Sequence, residues 1–147
     1  MEKLIELYKS WCGEVPASTE RIAGAGSNRE YYRLIGEDGF SVIGVVGTSR
    51  DENHAFVYLA KHFAERQLPV PNILAVSEDG LRYLQGDLGS TSLFDAVAGG
   101  RNAGGRYNQR EKELLVRTIR QLPNIQIRCA RGLDWQNCYP QPELDED

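Results

Sequence analysis

The stretch best suited to chemistry is GAGSNREYYRL, residues 24–34. Gly24 and Gly26 let the backbone approach a ligand with no Cβ in the way. Successive amide N–H groups in such a turn can cradle an anion, most commonly phosphate. Ser27 and Asn28 would add their own donors. The residues that follow, EYYRLI, are aromatic and branched and read as a strand, so this is not the strand-to-helix glycine pattern of dinucleotide folds. Taken alone, a strand-to-strand loop with two glycines is more often only a turn. Other reactive types are sparse. His54 and His62 are the only histidines, and they lie roughly 80° apart around a helix, with no cysteine nearby, which favours solvated or half-buried positions over metal binding. Cys12, Cys129 and Cys138 are widely spaced and form no CxxC pair, so neither a disulfide framework nor a zinc site is indicated.

The elements that must position this loop follow from periodicity. Leu4, Ile5, Tyr8, Trp11 and Cys12 recur at helical spacing, and Gly13 and Pro16 end that helix. A short strand from Glu20 to Ala23 enters the glycine loop. EYYRLI leaves it, Gly36-Glu37-Asp38-Gly39 turns the chain, and FSVIGVV returns. Ser49 and Glu52 form a capping-box pattern before a long helix in which Phe56, Leu59, Ala60 and Phe63 share a face. That helix must end near Gln67, because Pro69 and Pro71 cannot continue it. NILAVS and residues 81–85 are two more strands around the Glu78-Asp79-Gly80 turn. Three strands, a helix and two strands make an α+β layer, a five-stranded antiparallel sheet with one packed helix. Beyond it, Ser90-Thr91-Ser92 caps a short helix, LFDAV. Residues 99–106 read as a mobile glycine-rich loop. Asn108 and Glu111 cap a second long helix that Pro123 closes. Trp135 and Tyr139 are large apolar groups without an evident surface, and the chain ends on ELDED, a solvated acidic run.

In this order the elements resemble the N-terminal lobe of the aminoglycoside phosphotransferase and choline kinase-like family, over about residues 20–97. GAGSNREYYRL resembles its phosphate loop. LPVPNILAV, residues 68–76, resembles the segment leading into its fourth strand. YLQGDLGSTSLFDAV, residues 83–97, resembles its hinge, where an adenine bonds to backbone atoms. Within the family the nearest likeness is to the sugar kinases linked to cell-wall recycling. The resemblance implies a protein-kinase-like N-terminal lobe over residues 1–88, followed in residues 89–147 by a hinge and the helices that begin a truncated acceptor-binding lobe. It implies ATP as ligand, with Gly24, Gly26, Ser27, Asn28, Glu52, Gln85, Gly86 and Asp87 around it. Magnesium would be bound mainly by the remainder of the second lobe.

Two departures limit that implication. The family's third strand carries a lysine that holds phosphates and pairs with a helix glutamate. The matching place in SVIGVVG is Gly44, and no lysine lies between Lys9 and Lys61. Glu52 stands where the glutamate belongs but is read first as a cap, with Arg33 or Arg50 as candidate sources of the lost charge. The second departure is larger. The family's catalytic loop reads HxDxxxxN, and neither histidine here is followed by an aspartate two residues on. No catalytic residue is therefore assigned, and the chain alone is expected to be inactive. A non-catalytic, pseudokinase-like interaction module is the alternative, and a structural α+β domain with a coincidental glycine loop the third reading. A net charge of −4 argues against nucleic acid as a partner. No apolar run approaches the ~20 residues of a membrane span. The chain is read as cytoplasmic, with self-association expected through apolar surfaces that a second lobe would cover.

Overall fold

A computed structural model of the chain describes residues 1–23 and 28–139. They form an α+β structure in which five α-helices accompany one open, five-stranded antiparallel sheet. The chain divides into two compact units, residues 1–87 with 134–147, and residues 88–133.

In the first unit, helix α1 (Glu2–Cys12) is followed by β1 (Ser18–Ile22), β2 (Glu30–Ile35) and β3 (Ser41–Val46). Helix α2 (Arg50–Glu65), β4 (Ile73–Val76) and β5 (Arg82–Gly86) come next. The strands lie in the order β1-β2-β3-β5-β4, every neighbouring pair antiparallel. Their boundaries fall where backbone chemistry requires. Gly13 takes φ 89° and donates its N–H to the Lys9 carbonyl at 2.7 Å, closing α1 as only a residue tolerant of the left-handed region does cheaply. In the β4–β5 turn, Asp79 Oδ1 accepts from the Ser77 hydroxyl (2.7 Å) and the Leu81 amide (3.0 Å), while Oδ2 accepts from Arg82 (2.7 Å). These contacts, the Ser77 hydroxyl first, hold the Asp79 carboxyl down at about 2.

Side chains alternate across a pleated sheet, so the register sorts residues between two cores. Leu34, Val42 and Leu84 turn to one face and pack with Leu4 and Tyr8 of α1. Ile43, Val45 and Tyr83 turn to the other and pack with Phe56 and Val57 of α2. The sheet thus carries a helix on each face. Gly44 belongs to the first set, and a Cβ there would stand 2.9 and 3.0 Å from the Leu4 methyls and 3.1 Å from a Leu34 methyl. A side chain at 44 points at α1, whereas Ile43 and Val45 face α2. The glycine is there because α1 lies close against the strand.

Residues 134–139 also belong to this unit. The Asp134 N–H donates to the Tyr58 hydroxyl of α2 at 2.7 Å, and His54 Nε2 lies 2.8 Å from Asn137 Oδ1. His62 is buried, packed against the Tyr58 and Phe63 rings.

The second unit holds α3 (Leu93–Ala96), α4 (Ala98–Asn102) and α5 (Gln109–Ile119). Two expectations fail here. Half of the glycine-rich stretch read as a mobile loop, residues 99–102, is helical, because Glu111 organises it. Its carboxylate accepts from the Asn108 amide (2.8 Å) and the Gly100 amide (2.9 Å), and Asn108 Oδ1 accepts from the Glu111 amide (3.0 Å). The capping box of α5 therefore reaches into α4 and pulls the Glu111 carboxyl below the ordinary range, Asn108 contributing most. Gly100 is buried because Tyr107 occupies the space a Cβ would take. Pro123 does not close α5, which ends at Ile119. It precedes a π-helical turn, Asn124–Arg128, and its own backbone is helical (φ −62°).

Gly44→Ala should test the tight α1 face. The added methyl must push the Leu4 and Leu34 side chains aside, and urea denaturation should show a loss of about 1–3 kcal/mol.

Candidate functional site

The sheet face toward α2 carries the polar groups that packing alone does not explain. Alternation along β5 brings Tyr83, Gln85 and then Asp87 to this face, with Arg33 beside them on β2. The row has an ion pair at each end.

At the first end, α2 begins on Ser49, whose hydroxyl accepts from the Glu52 amide at 3.3 Å. Only this half of the expected capping box forms. The Glu52 carboxylate turns to Arg29 instead, Nη2 to Oε1 at 3.1 Å, and the same nitrogen donates to the Glu52 carbonyl at 3.1 Å. Arg29 Nε donates to Asn53 Oδ1 at 3.3 Å, and its guanidinium lies 5.1 Å from the centre of the Phe56 ring. Asn53 is 1% exposed and donates from Nδ2 to the Gly80 carbonyl at 3.0 Å. It fills the room that Gly47 leaves by having no Cβ, and the Gly47 amide is itself bonded to the Leu81 carbonyl at 2.8 Å. One asparagine therefore joins α2, the β4–β5 turn and the arginine at the start of β2.

Phe56 stacks on Tyr83 with ring centres 5.2 Å apart and planes at 26°. Tyr83 is fully buried, and its hydroxyl has no hydrogen-bond partner. Burial pushes its pKa far above the ordinary value, while the nearby Arg29 charge acts in the opposite direction. Gln85 follows two residues on. Its amide oxygen is likewise buried without a partner, and its neighbours across the strands are Ile43 and Ile73. At the far end Arg33 grips Asp87 through two nitrogens, Nε to Oδ2 at 2.6 Å and Nη2 to Oδ1 at 3.2 Å. Ser41 Oγ adds a third bond at 2.9 Å.

The residues singled out in the sequence distribute unevenly over this arrangement. Gly24, Gly26 and Ser27 lie outside the described residues. Asn28 is exposed and immediately precedes Arg29. Glu52 is on the site, but as the partner of Arg29. Arg33 serves Asp87 and Arg50 the Asp79 carbonyl, so neither supplies the charge Glu52 was expected to lack. Gln85, Gly86 and Asp87 come together at the end of β5. The Gly86 amide is used within the sheet, donating to the Asn72 carbonyl at 2.9 Å. Sequence reasoning missed Arg29, Asn53 and Tyr83. Arg29 had one available signal, a cation directly after the loop's Ser-Asn, but it is neither a lysine nor within a strand.

Magnesium does not fit these residues. Among the described residues no group of three or more His, Cys, Asp or Glu could hold a metal ion. The carboxylates of the face, Glu52 and Asp87, are each paired with an arginine. No helix among the described residues is long and apolar enough to cross a membrane. Neither the protein-family models nor the curated proteins provide a match to this chain.

Removing the Asn53 amide strands the Gly80 carbonyl and one Arg29 bond in a dry place. Asn53→Ala should therefore cost about 2–3 kcal/mol in urea denaturation. Glu52→Ala should cost about 1–3 kcal/mol by the same measurement: its own side chain is 37% exposed, but its loss leaves the 12%-exposed Arg29 guanidinium without its carboxylate.

Proposed function

We propose that residues 1–87 are the nucleotide-binding lobe of a small-molecule phosphotransferase acting on an alcohol group, in a protein-kinase-like architecture. The observation that carries this reading is the polar row on the α2 face of the sheet. It has an arginine–glutamate pair next to the glycine loop and an unsatisfied acceptor between two isoleucines where the hinge begins. A nucleotide needs both: fixed donors and cations near its phosphates, and an apolar floor with a few polar atoms for its base.

In this reading Arg29 and Glu52 take the place of the strand lysine and helix glutamate. Their bonds hold the first turn of α2 against the strand that leaves the loop. Asn28 then meets the phosphates from a fixed direction, which is positioning, the larger part of what a phosphoryl-transfer site does. The chain binds and orients its ligand but carries no HxDxxxxN loop to orient an acceptor hydroxyl. No transfer step is assigned to it.

A second reading, a non-catalytic interaction module, draws on a different observation. Val116 and Ile119 of α5, with Leu122, Ile125 and Ile127 after it, are 40–64% exposed. Apolar side chains clustered so closely in sequence favour association.

Thermal unfolding with ATP separates the two. At ten times its Kd the ligand should add about 1.4 kcal/mol and raise Tm by several degrees, with no phosphate transferred to any sugar. No shift at millimolar ATP would sink the nucleotide reading and leave the interaction module. Light scattering over a concentration series should show reversible dimers; a monomer throughout would count against the apolar surface as an interface.

A further inference from the structure

Between the end of α1 and the β2–β3 turn lies a recess of about 350 Å³ that the nucleotide reading does not use. Three aromatic rings line it. Tyr8 is buried, Trp11 meets it edge-on with ring centres 5.9 Å apart, and Phe40 stacks on Trp11 at 6.4 Å with planes at 30°. Phe40 is nevertheless 56% exposed, so the aromatic floor opens to solvent. Glu14, Glu37 and Asp38 also line the recess, and no lysine, arginine or histidine does. Glu30, Glu52, Asp79 and Asp87 each find an arginine in this unit. Among the described residues the three carboxylates of the recess are in no ion pair; Asp38 Oδ1 accepts only the Phe40 amide, at 2.9 Å. Helix α1 ends at the same place, and the last carbonyls of a helix carry the negative end of its dipole. Lys9, the basic residue of that last turn, lies outside the lining.

Ring faces attract cations, tryptophan most strongly, and free carboxylates ask in addition for hydrogen-bond donors. A guanidinium answers both demands. It is flat enough to stack on a ring, always charged, more weakly hydrated than an ammonium, and it presents its donors as a fork. A quaternary ammonium has no donor for the carboxylates, and a lysine ammonium must first shed tightly held water. We propose that this recess binds an arginine side chain presented by a basic segment of a partner protein. The guanidinium stacks on the open Phe40 ring beside Trp11, its N–H groups donate to the carboxylates at the rim, and its stem leaves on the solvent side. The charge of the recess thus chooses the partner, and its rings choose among cations. The site is built on α1 and the β2–β3 turn, not on the α2 face, so the inference stands or falls apart from the nucleotide reading.

The test is an NMR titration of the whole chain, without nucleotide, followed at the backbone amides and the Trp11 indole N–H. The probe is the capped peptide acetyl-Gly-Arg-Gly-amide, compared with the same peptide carrying lysine, trimethyllysine or citrulline, the last being the neutral analogue of arginine. The arginine peptide should bind about tenfold more tightly than the citrulline peptide and about threefold more tightly than either ammonium peptide, with the largest shifts at Trp11 and residues 36–40. Phe40→Leu and Glu37→Gln, both at exposed positions, should each weaken arginine binding about threefold or more. Absence of shifts at the recess, even at tens of millimolar peptide, would overturn the site. Equal binding of the citrulline peptide would overturn its selection of charge, and equal or tighter binding of either ammonium peptide its selection of arginine. Arginine binding untouched by both substitutions would place it elsewhere and overturn the assignment. Shifts at the same residues on diluting the chain alone would make a second copy the occupant, and the partner assignment would fail. The comparison of the four peptides on the wild type does not depend on either variant folding.

Discussion

Asn53 is the constraint around which the first unit is arranged. A side-chain amide that is 1% exposed must have its donors and acceptor satisfied within the protein. Asn53 does so by tying α2 to the Gly80 carbonyl and to Arg29, so the helix cannot slide along the sheet without breaking buried bonds. Apolar packing between Phe56, Val57 and the strands is indifferent to small translations, whereas a bidirectional amide is not. The absence of a side chain at Gly47 belongs to the same device, since any Cβ there would displace the Asn53 amide. The position of Glu52, one residue earlier on the same turn, follows from it. The candidate site is thus a by-product of how α2 is pinned.

The division of the sheet into two faces explains where polar chemistry can and cannot sit. Toward α1 the strands offer Leu34, Val42 and Leu84 to Leu4 and Tyr8, and Gly44 lets that helix come close. Toward α2 the helix covers Val45 and Tyr83, and the polar row continues along β5 to the Arg33–Asp87 pair. A charge placed at 44 would be driven into a dry aliphatic layer. One at 45 would face α2, the side on which Glu52 already meets Arg29.

Much of the sheet was legible because its turns announce themselves. Gly39 and Gly80 adopt positive φ where the turn signals stand, and the aromatic run in β2 has no helical period. What was not legible has identifiable causes. SVIGVV is nearly all apolar because β3 is buried on both faces, and a strand without alternation does not reveal which residues share a face. Which side Gly44 faces was not legible for that reason. β1, written STERI, is exposed over most of its length and has little apolar signal by which to place its start at Ser18 rather than Glu20. The helix at Ala98–Asn102 was hidden by its glycines, whose low intrinsic propensity is overridden by a carboxylate thirteen residues after Ala98. Arg29 and Glu52 are 23 residues apart, and nothing local in the sequence couples them.

Why Glu52 abandons its cap can be argued from charge. The first turn of a helix carries unpaired amides and the positive end of the macrodipole, an unfavourable place for a guanidinium. Arg29 lies there nonetheless, bonded to the Glu52 carbonyl and to the Asn53 side chain. The Glu52 carboxylate offsets both the arginine and the helix end at once, while Ser49 still serves the Glu52 amide through its hydroxyl. Had the carboxylate returned to the Ser49 amide, it would have satisfied one exposed donor and left a guanidinium that is 12% exposed without its ionic partner, at the greater loss. The cation of this face thus sits at the rim of α2. Ile43 and Val45 stay apolar beneath the helix, and the start of β2, rather than the centre of the sheet, carries the charge that meets Glu52.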